Sequence, residues 1–145
     1  AIQRILVPVD LSAASLSALG RACALARRLQ ARVHAIHCFD SRPILVTPLA
    51  GYPEIGAALP IEEMRSGNQK AFDEAMQAFD WKATPHDTSF FEARPEDKIV
   101  ELQKDHDLIA LSTHGRTGLA AALMGHVAYA VLKHARIPVW AMREA

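Results

Sequence analysis

The feature that most constrains the fold is a repeated alternation between short apolar runs and longer stretches with helical periodicity. The runs lie at residues 4–10, 33–39, 84–91, 107–112 and 137–142. Such runs are typical of strands covered on both faces, although the third is polar enough to be an edge strand. Each connection is long enough for the crossover helix that parallel pairing requires. The order βαβαβαβαβ therefore predicts an α/β fold with a parallel sheet and helices on both faces.

The helical stretches carry recognisable start signals and apolar faces. Ser12 suits an N-cap position, Pro95 suits the first turn of the third helix, and the last helix is predicted at 125–134. The predicted core face of the helix at 61–80 consists of Met64, Phe72, Ala75, Met76 and Phe79. A chain of 145 residues is close to the commonest single-domain size, so residues 1–145 are predicted to form one domain.

One segment, residues 40–60, shows neither the pattern of a strand nor that of a helix. It contains four prolines but also several large apolar residues. Loops of this length inside a compact domain are usually lids, binding segments or disordered. Because its apolar content argues against disorder, we expect a lid or a contact segment.

Composition excludes several classes of protein. Lys plus Arg equals Asp plus Glu at 16 each, so no net charge directs the chain to nucleic acid. No apolar run is long enough to insert into a membrane, and no signal-peptide layout is visible, so a cytoplasmic location is expected. Cys23 and Cys38 lie in a predicted helix and a predicted strand, where they are interpreted as buried thiols.

The ends of two predicted strands carry the candidate site. Ligands of open parallel sheets bind at the carboxyl ends of the strands, where the strand order reverses. Asp10 ends the first run, and Ser112 to Gly115 end the fourth and lead through Gly118 to Gly125 at the start of the last helix. Glycines allow close backbone approach, and a helix start offers unpaired N–H groups to an anion. A phosphate cradle and a ligand-free turn both fit these glycines.

The amino-acid sequence of these segments resembles that of the universal stress protein family. The resemblance rests on ILVPVDLS at 5–12, IHC at 36–38, DLIALSTHGRTGL at 107–119, Gly125 and IPV at 137–139. It implies a Rossmann-like, doubly wound five-stranded parallel sheet in the order 3-2-1-4-5. It also implies a homodimer, which the edge strand at 137–142 would form, and a regulatory role in stress responses.

ATP-binding members of that family carry Gly, two residues, Gly, nine residues, then Gly followed by Ser or Thr. In this chain the pattern falls on Ser112, Gly115, Gly125 and His126, with the nine-residue gap intact. Ser112 replaces the first glycine, which is a mild change if its φ is ordinary. His126 replaces a hydroxyl donor to the phosphates, a loss that would weaken binding roughly 10- to 150-fold unless the imidazole donates instead.

The resemblance also implies individual roles. Asp10 would lie near the ribose and adenine, and Val9 and Cys38 would offer backbone groups to the base. Ribose and phosphates would be bound by the remaining positions, Ser112, His114, Gly115, Arg116, Gly125, His126 and Val127. Each has a simpler alternative: Asp10 as a turn cap, Cys38 as core, His114 bonded to a carbonyl, and Arg116 in solvent. His37 is expected to be structural.

The resulting expectation is an adenine-nucleotide-binding regulatory protein that acts through its dimer or through partner proteins, with ATP as the ligand. A nucleotide-free scaffold of the same family is the first alternative. A slow ATPase, with Asp10 holding Mg²⁺, is the second, although no Walker-type lysine or dedicated base is visible. His126 and His134 are two helical turns apart and cannot chelate together, and nothing resembles a zinc ligand set.

Overall fold

The computed structural model describes residues 1–42, 60–114 and 124–143. The strands there are β1 to β5, at Arg4–Pro8, Arg32–Phe39, His86–Glu92, Leu108–Ser112 and Val139–Met142. The helices there are α1 to α4, at Ala13–Leu29, Ile61–Ala78, Pro95–Leu102 and His126–His134, and a short 3₁₀ turn follows α3 at Gln103–Asp105. Most of the 40–60 segment lies outside the described residues.

All neighbouring strands of the sheet pair in parallel, in the order β3-β2-β1-β4-β5. The doubly wound α/β fold expected from the apolar runs is therefore confirmed, with its strand order. β3 starts at His86 instead of Thr84, because Lys82 and Ala83 adopt positive φ in the preceding turn. β5 starts after Pro138, whose carbonyl accepts a hydrogen bond from Ile109 N at 3.0 Å.

Two clusters of buried side chains cover the two faces of the sheet. Ile5, Val7, Val33 and Ala35 pack towards α1 and α2, whereas the next residues along the strands, such as Leu6 and Ile36, pack towards α3 and α4. This alternation with period two is what a strand buried on both sides requires. Within the described residues no helix is long and apolar enough to cross a membrane.

Two methionines differ in burial from what the sequence predicts. Met64 was expected on the core face of α2, yet it is 37% exposed, because it lies in the first turns, before Phe72 and Met76 contact the sheet. Met142 was expected to add apolar surface to the edge strand, but it is only 3% exposed and belongs to the protein's own core. Both cysteines are free thiols.

Candidate functional site

The candidate site lies where the chain leaves β1 in one direction and β4 in the other. A cavity of about 270 Å³ opens there, at the carboxyl ends of β1, β2 and β4. This is the topological switch point at which open α/β sheets bind ligands. Eight of the predicted site residues line it: Val9, Asp10, Cys38, Ser112, His114, Gly125, His126 and Val127. The other two, Gly115 and Arg116, lie outside the described residues.

Asp10 joins the end of β1 to the start of α1. Its Oδ1 accepts a hydrogen bond from Ser12 N at 2.9 Å, and its own N–H donates to Ser15 Oγ at 3.3 Å. Ser12 caps α1 by accepting from Ser15 N at 3.1 Å, while Leu11 takes a φ of 66° to make the turn. The turn-cap alternative for Asp10 is thus present in the structure, and it holds the carboxylate at the cavity wall.

Cys38 presents its backbone to the cavity. In β2 alternate residues bond to opposite neighbours: Ile36 O accepts from Val9 N at 2.7 Å, and Phe39 O accepts from Ala93 N at 3.0 Å. Cys38 therefore faces the β1 side, but β1 ends at Pro8, opposite Ile36. In the part of the chain that the structure describes, no backbone group of a neighbouring strand or turn bonds to the N–H or C=O of Cys38. A donor and an acceptor are left side by side.

Val9 contributes differently from the expectation. Its N–H donates to Ile36 O, and its carbonyl lies 2.6 Å from His37 Nδ1. His37 is buried, stacks on Phe72 with ring centroids 5.6 Å apart, and has its Nε2 3.3 Å from Asn68 Oδ1. The backbone of Val9 is thus already bonded, and His37 has the structural role expected of it, holding the cavity floor to α2.

The thiol of Cys38 is chemically quiet. Its pKa is raised to about 12, mainly by burial; the charge of Lys98 lowers the pKa, and the carboxylates of Glu96 and Asp40 raise it. A thiol with such a pKa is almost entirely protonated at neutral pH and is a poor nucleophile. Cys38 therefore contributes its backbone and an apolar side chain to the wall.

Ser112 occupies the last position of β4, paired with Met142 of β5. The φ of Ser112 is not positive, so serine in place of glycine causes no backbone strain at this position. Its hydroxyl donates to the carbonyl of His114 at 2.8 Å, and His114 Nδ1 lies 3.1 Å from Thr113 Oγ1. These bonds hold the end of β4 in a tight bend beside the cavity.

Gly125 is the N-cap of α4 and lies very close to the end of β4. Its N–H donates to Thr113 O at 2.6 Å, and a Cβ added to it would lie 3.0 Å from that same oxygen. The requirement for glycine is therefore spatial, since its φ of −63° suits any residue. Among the described residues no side chain caps α4, and the N–H groups of its first turn have no partner within the helix. Such a start can bind an anion.

His126 stands at the rim of the cavity. It is the first residue of α4, its side chain is 82% exposed, and its Nε2 lies 3.7 Å from Glu96 Oε1 of α3. The imidazole thus faces a carboxylate as well as the start of its own helix. Within the described residues, no group of three or more His, Cys, Asp or Glu side chains is arranged to hold a metal ion.

Sequence reasoning missed several wall residues. Ser15, Pro95 and Thr113 line the cavity, together with the apolar side chains of Pro8, Ile36, Leu111 and Ala128. Pro95 was predicted to lie in the first turn of a helix. Because β3 ends just before Pro95, that helix starts at the carboxyl edge of the sheet, and this signal could have placed Pro95 at the cavity. Ser15 gave no signal of its own, because serine in a first helical turn is common.

The sequence model of the universal stress protein family matches residues 1–143. This chain belongs to the universal stress protein family. A universal stress protein of Methanocaldococcus jannaschii is 34% identical over 144 residues, which cover 98% of this chain and 82% of that protein. The family resemblance found in the sequence is confirmed.

Solved universal stress proteins share the fold. The protein UspA from Lactobacillus plantarum is 25% identical, with a TM-score of 0.76 and 98% of both chains covered. A universal stress protein in complex with cAMP is 23% identical, with a TM-score of 0.61 and 99% and 98% covered. One from Archaeoglobus fulgidus in complex with dAMP is 20% identical, with a TM-score of 0.56 and 97% of both chains covered.

Proposed function

We propose that this universal stress protein binds an adenine nucleotide, ATP included, in the cavity beside β1 and β4, and that it acts as a regulatory protein through its dimer or through partners. The observation that carries the proposal is the open backbone of Cys38. Adenine presents a ring nitrogen acceptor next to an amino donor. The N–H and C=O of one extended residue match that pair, and a site that bonds both selects adenine over bases lacking it.

The rest of the cavity suits the other parts of a nucleotide. Apolar side chains such as Ile36 and Leu111 offer surfaces to the flat base. In this proposal the carboxylate of Asp10 accepts from ribose hydroxyls, and the start of α4 at Gly125 binds phosphate; both line the cavity. Mg²⁺ bound together with ATP would be held mainly by the phosphates, and the proposal assigns the Asp10 carboxylate as its protein ligand.

The nucleotides bound by relatives support this assignment. Universal stress proteins of the same fold have been solved with cAMP and with dAMP, both of which contain adenine and one phosphate. An adenine-specific backbone contact combined with a phosphate-binding helix start would accept either ligand. The same contact would accept the adenine of ATP.

Calorimetric titration with AMP and ATP tests the proposal. Both nucleotides should bind the wild-type protein, and Gly125→Ala should weaken both by roughly tenfold, about 1.4 kcal/mol. The reason is that a Cβ 3.0 Å from Thr113 O must push the end of β4 away from the start of α4. That displacement changes the distance between the groups that bind ribose and phosphate.

The matched control is Gly67→Ala in α2, where an added Cβ meets no atom within 4 Å. This variant should bind like the wild type and gain up to about 1 kcal/mol of stability from the better helix propensity of alanine. Equal losses of affinity in the two variants would show that Gly125 has no local role. If neither nucleotide produces heat at millimolar concentration, the proposed ligand is wrong.

One observation favours a second function, a nucleotide-free scaffold. The residue after Gly125 is a histidine whose exposed side chain faces Glu96, so this position lacks the hydroxyl that ATP-binding relatives place at the phosphates. A scaffold would show no heat in the same titration and would act through protein contacts alone.

We also propose that the protein forms a homodimer through its edge strand β5. Val139 and Trp140 are half-buried on this strand, and an unpaired edge is a surface that proteins cover or pair. Trp140 packs against its own core, with the Arg21 guanidinium 5.4 Å from its ring centroid, so less of it is available than expected. Two such edges can pair about a two-fold axis, and two-fold symmetry is the commonest symmetry of oligomers.

A charge at Val139 tests the dimer. Val139→Glu should weaken self-association by at least roughly tenfold, because a carboxylate would meet its own copy near the two-fold axis. Sedimentation velocity at several protein concentrations measures this, and circular dichroism checks that the monomer stays folded. Met64→Glu, which adds the same charge at an exposed apolar residue of α2, should leave association unchanged. A wild-type protein that sediments as a monomer at micromolar concentration would exclude the interface.

A further inference from the structure

Three side chains form a rim where α3 and α4 begin: Arg94, Glu96 and His126. Arg94 Nε lies 2.8 Å from Glu96 Oε1, and His126 Nε2 lies 3.7 Å from the same oxygen. Glu96 is the central member, since its side chain is 14% exposed whereas those of Arg94 and His126 are 46% and 82% exposed. One carboxylate therefore engages two groups that could otherwise donate to a phosphate.

The charge of Glu96 reaches the inside of the cavity. It is one of two carboxylates, with Asp40, that raise the pKa of the Cys38 thiol on the cavity wall after the larger effect of burial. Asp40 is itself paired with Arg42 at 3.0 Å. Arg42 and Arg94 are thus each paired with a carboxylate.

We propose that Glu96 is a specificity-determining residue that makes the site favour adenosine monophosphates over ATP. This inference rests on the proposed nucleotide site. The N–H groups at the start of α4 would bind the first phosphate of a nucleotide. Further phosphates would extend to the rim, where Glu96 repels them and competes with them for Arg94 and His126. Each added negative charge increases the repulsion, so ATP is affected more than AMP.

The proposal gives His126 a role consistent with its surroundings. A serine or threonine hydroxyl after the last glycine would donate directly to a terminal phosphate. In this chain the position is taken by an imidazole that already faces Glu96. The two residues act together, one by removing a phosphate donor and the other by supplying a competing acceptor. The cAMP and dAMP complexes of relatives show that a monophosphate is a ligand that this fold can hold.

The experiment compares AMP and ATP binding by calorimetry at fixed ionic strength, without Mg²⁺, in three proteins. The wild type should bind AMP roughly tenfold more tightly than ATP. Glu96→Gln should raise ATP affinity roughly tenfold and AMP affinity less than about threefold, because it removes the charge and releases Arg94 and His126. The control is Asp97→Asn, the same loss of charge on the next residue of α3; among the described residues the ion pair of His126 is with Glu96 and not with Asp97. This control should change both affinities by less than about threefold.

The outcomes separate this inference from the proposed function. If both nucleotides bind but ATP binds the wild type more tightly, or Glu96→Gln strengthens AMP and ATP equally, the role of Glu96 is wrong and the nucleotide site stands. If Asp97→Asn reproduces the effect of Glu96→Gln, the selectivity comes from overall charge and the specific role is again wrong. If neither nucleotide binds any of the three proteins, both the proposed nucleotide site and the proposed selectivity of Glu96 are wrong.

Discussion

Replacing Phe72 with alanine should lower the free energy of unfolding by about 3–5 kcal/mol, the range for a large buried ring. Phe72 is 1% exposed and is the main contact between α2 and the sheet. Its ring lies 5.6 Å from that of His37 and 6.5 Å from that of Phe90. The truncation leaves a cavity between helix and strands that the surrounding side chains can fill only in part. Denaturant titration followed by circular dichroism measures the loss.

The same substitution should weaken nucleotide binding in the protein that remains folded. His37 Nδ1 lies 2.6 Å from the Val9 carbonyl, which belongs to the cavity wall, and Phe72 stacks on the His37 ring. Phe72→Leu keeps most of the volume and should cost clearly less than the alanine variant. Met64→Ala, at an exposed position of the same helix, should stay within about 0.5 kcal/mol. A loss below about 1 kcal/mol for Phe72→Ala would mean that α2 does not pack on the sheet as described.

The strands could be predicted from sequence because burial on both faces leaves a simple mark. The runs around Leu6 and Ile109 are apolar at nearly every position, since their alternate residues enter two different cores. Strand order leaves no comparable mark within any one run. The crossover rules allow several arrangements, and the order 3-2-1-4-5 came from the family resemblance.

Helical periodicity identified the core face of α2 but not its extent. Phe72 and Met76 are buried as the pattern indicates, whereas Met64 has the same apolar character and is exposed. Periodicity reports direction around a helix and contains no information on where along the axis the sheet begins to make contact. Met142 illustrates the reverse case, a residue assigned to the surface that closes the protein's own core.

The candidate site was predictable where it depends on chain position and hidden where it depends on packing. Asp10, Cys38 and Ser112 lie at the ends of strands that meet at one sheet edge, so topology alone brings them together. The contact of His126 with Glu96 joins two helix starts 30 residues apart in the chain, and it depends on the side-chain conformations of both. No motif signals such a pair.

A second hidden contact joins His34 of β2 to His106, which follows the 3₁₀ turn after α3. His106 Nδ1 lies 2.7 Å from the carbonyl of Leu102, which can only accept, so His106 donates there and its Nε2 is an acceptor. His34 Nδ1 then donates to His106 Nε2 at 3.0 Å, and His34 Nε2 accepts from Ser89 Oγ at 2.7 Å. Both imidazoles are therefore neutral in this arrangement.

Burial lowers the pKa of both His34 and His106 below the ordinary value. Arg4 also lowers the pKa of both imidazoles, and His106 lowers that of His34. In the opposite direction, Asp87 raises the pKa of His34. Asp105 and Asp107 raise the pKa of His106. The Leu102 carbonyl also raises that of His106. The unfolded chain thus binds protons near pH 6.5 that the folded protein binds only at lower pH. Stability is complete above that pH and falls as the pH drops through the interval between the two pKa values.

The acid loss should appear between pH 7 and 5, with a slope of at most about 1.4 kcal/mol per pH unit for each imidazole. Denaturant titrations across this range measure it. Replacing both partners, His34→Leu with His106→Leu, should flatten the profile, because the two imidazoles with lowered pKa are then absent. The control His134→Gln removes an exposed histidine of α4 and should keep the wild-type slope. Carboxylates with lowered pKa, such as Asp40 and Asp87 beside their arginines, lose their contribution only at more acidic pH. A wild-type profile that is flat from pH 7 to 5, or a slope that survives the double substitution, would contradict the assignment.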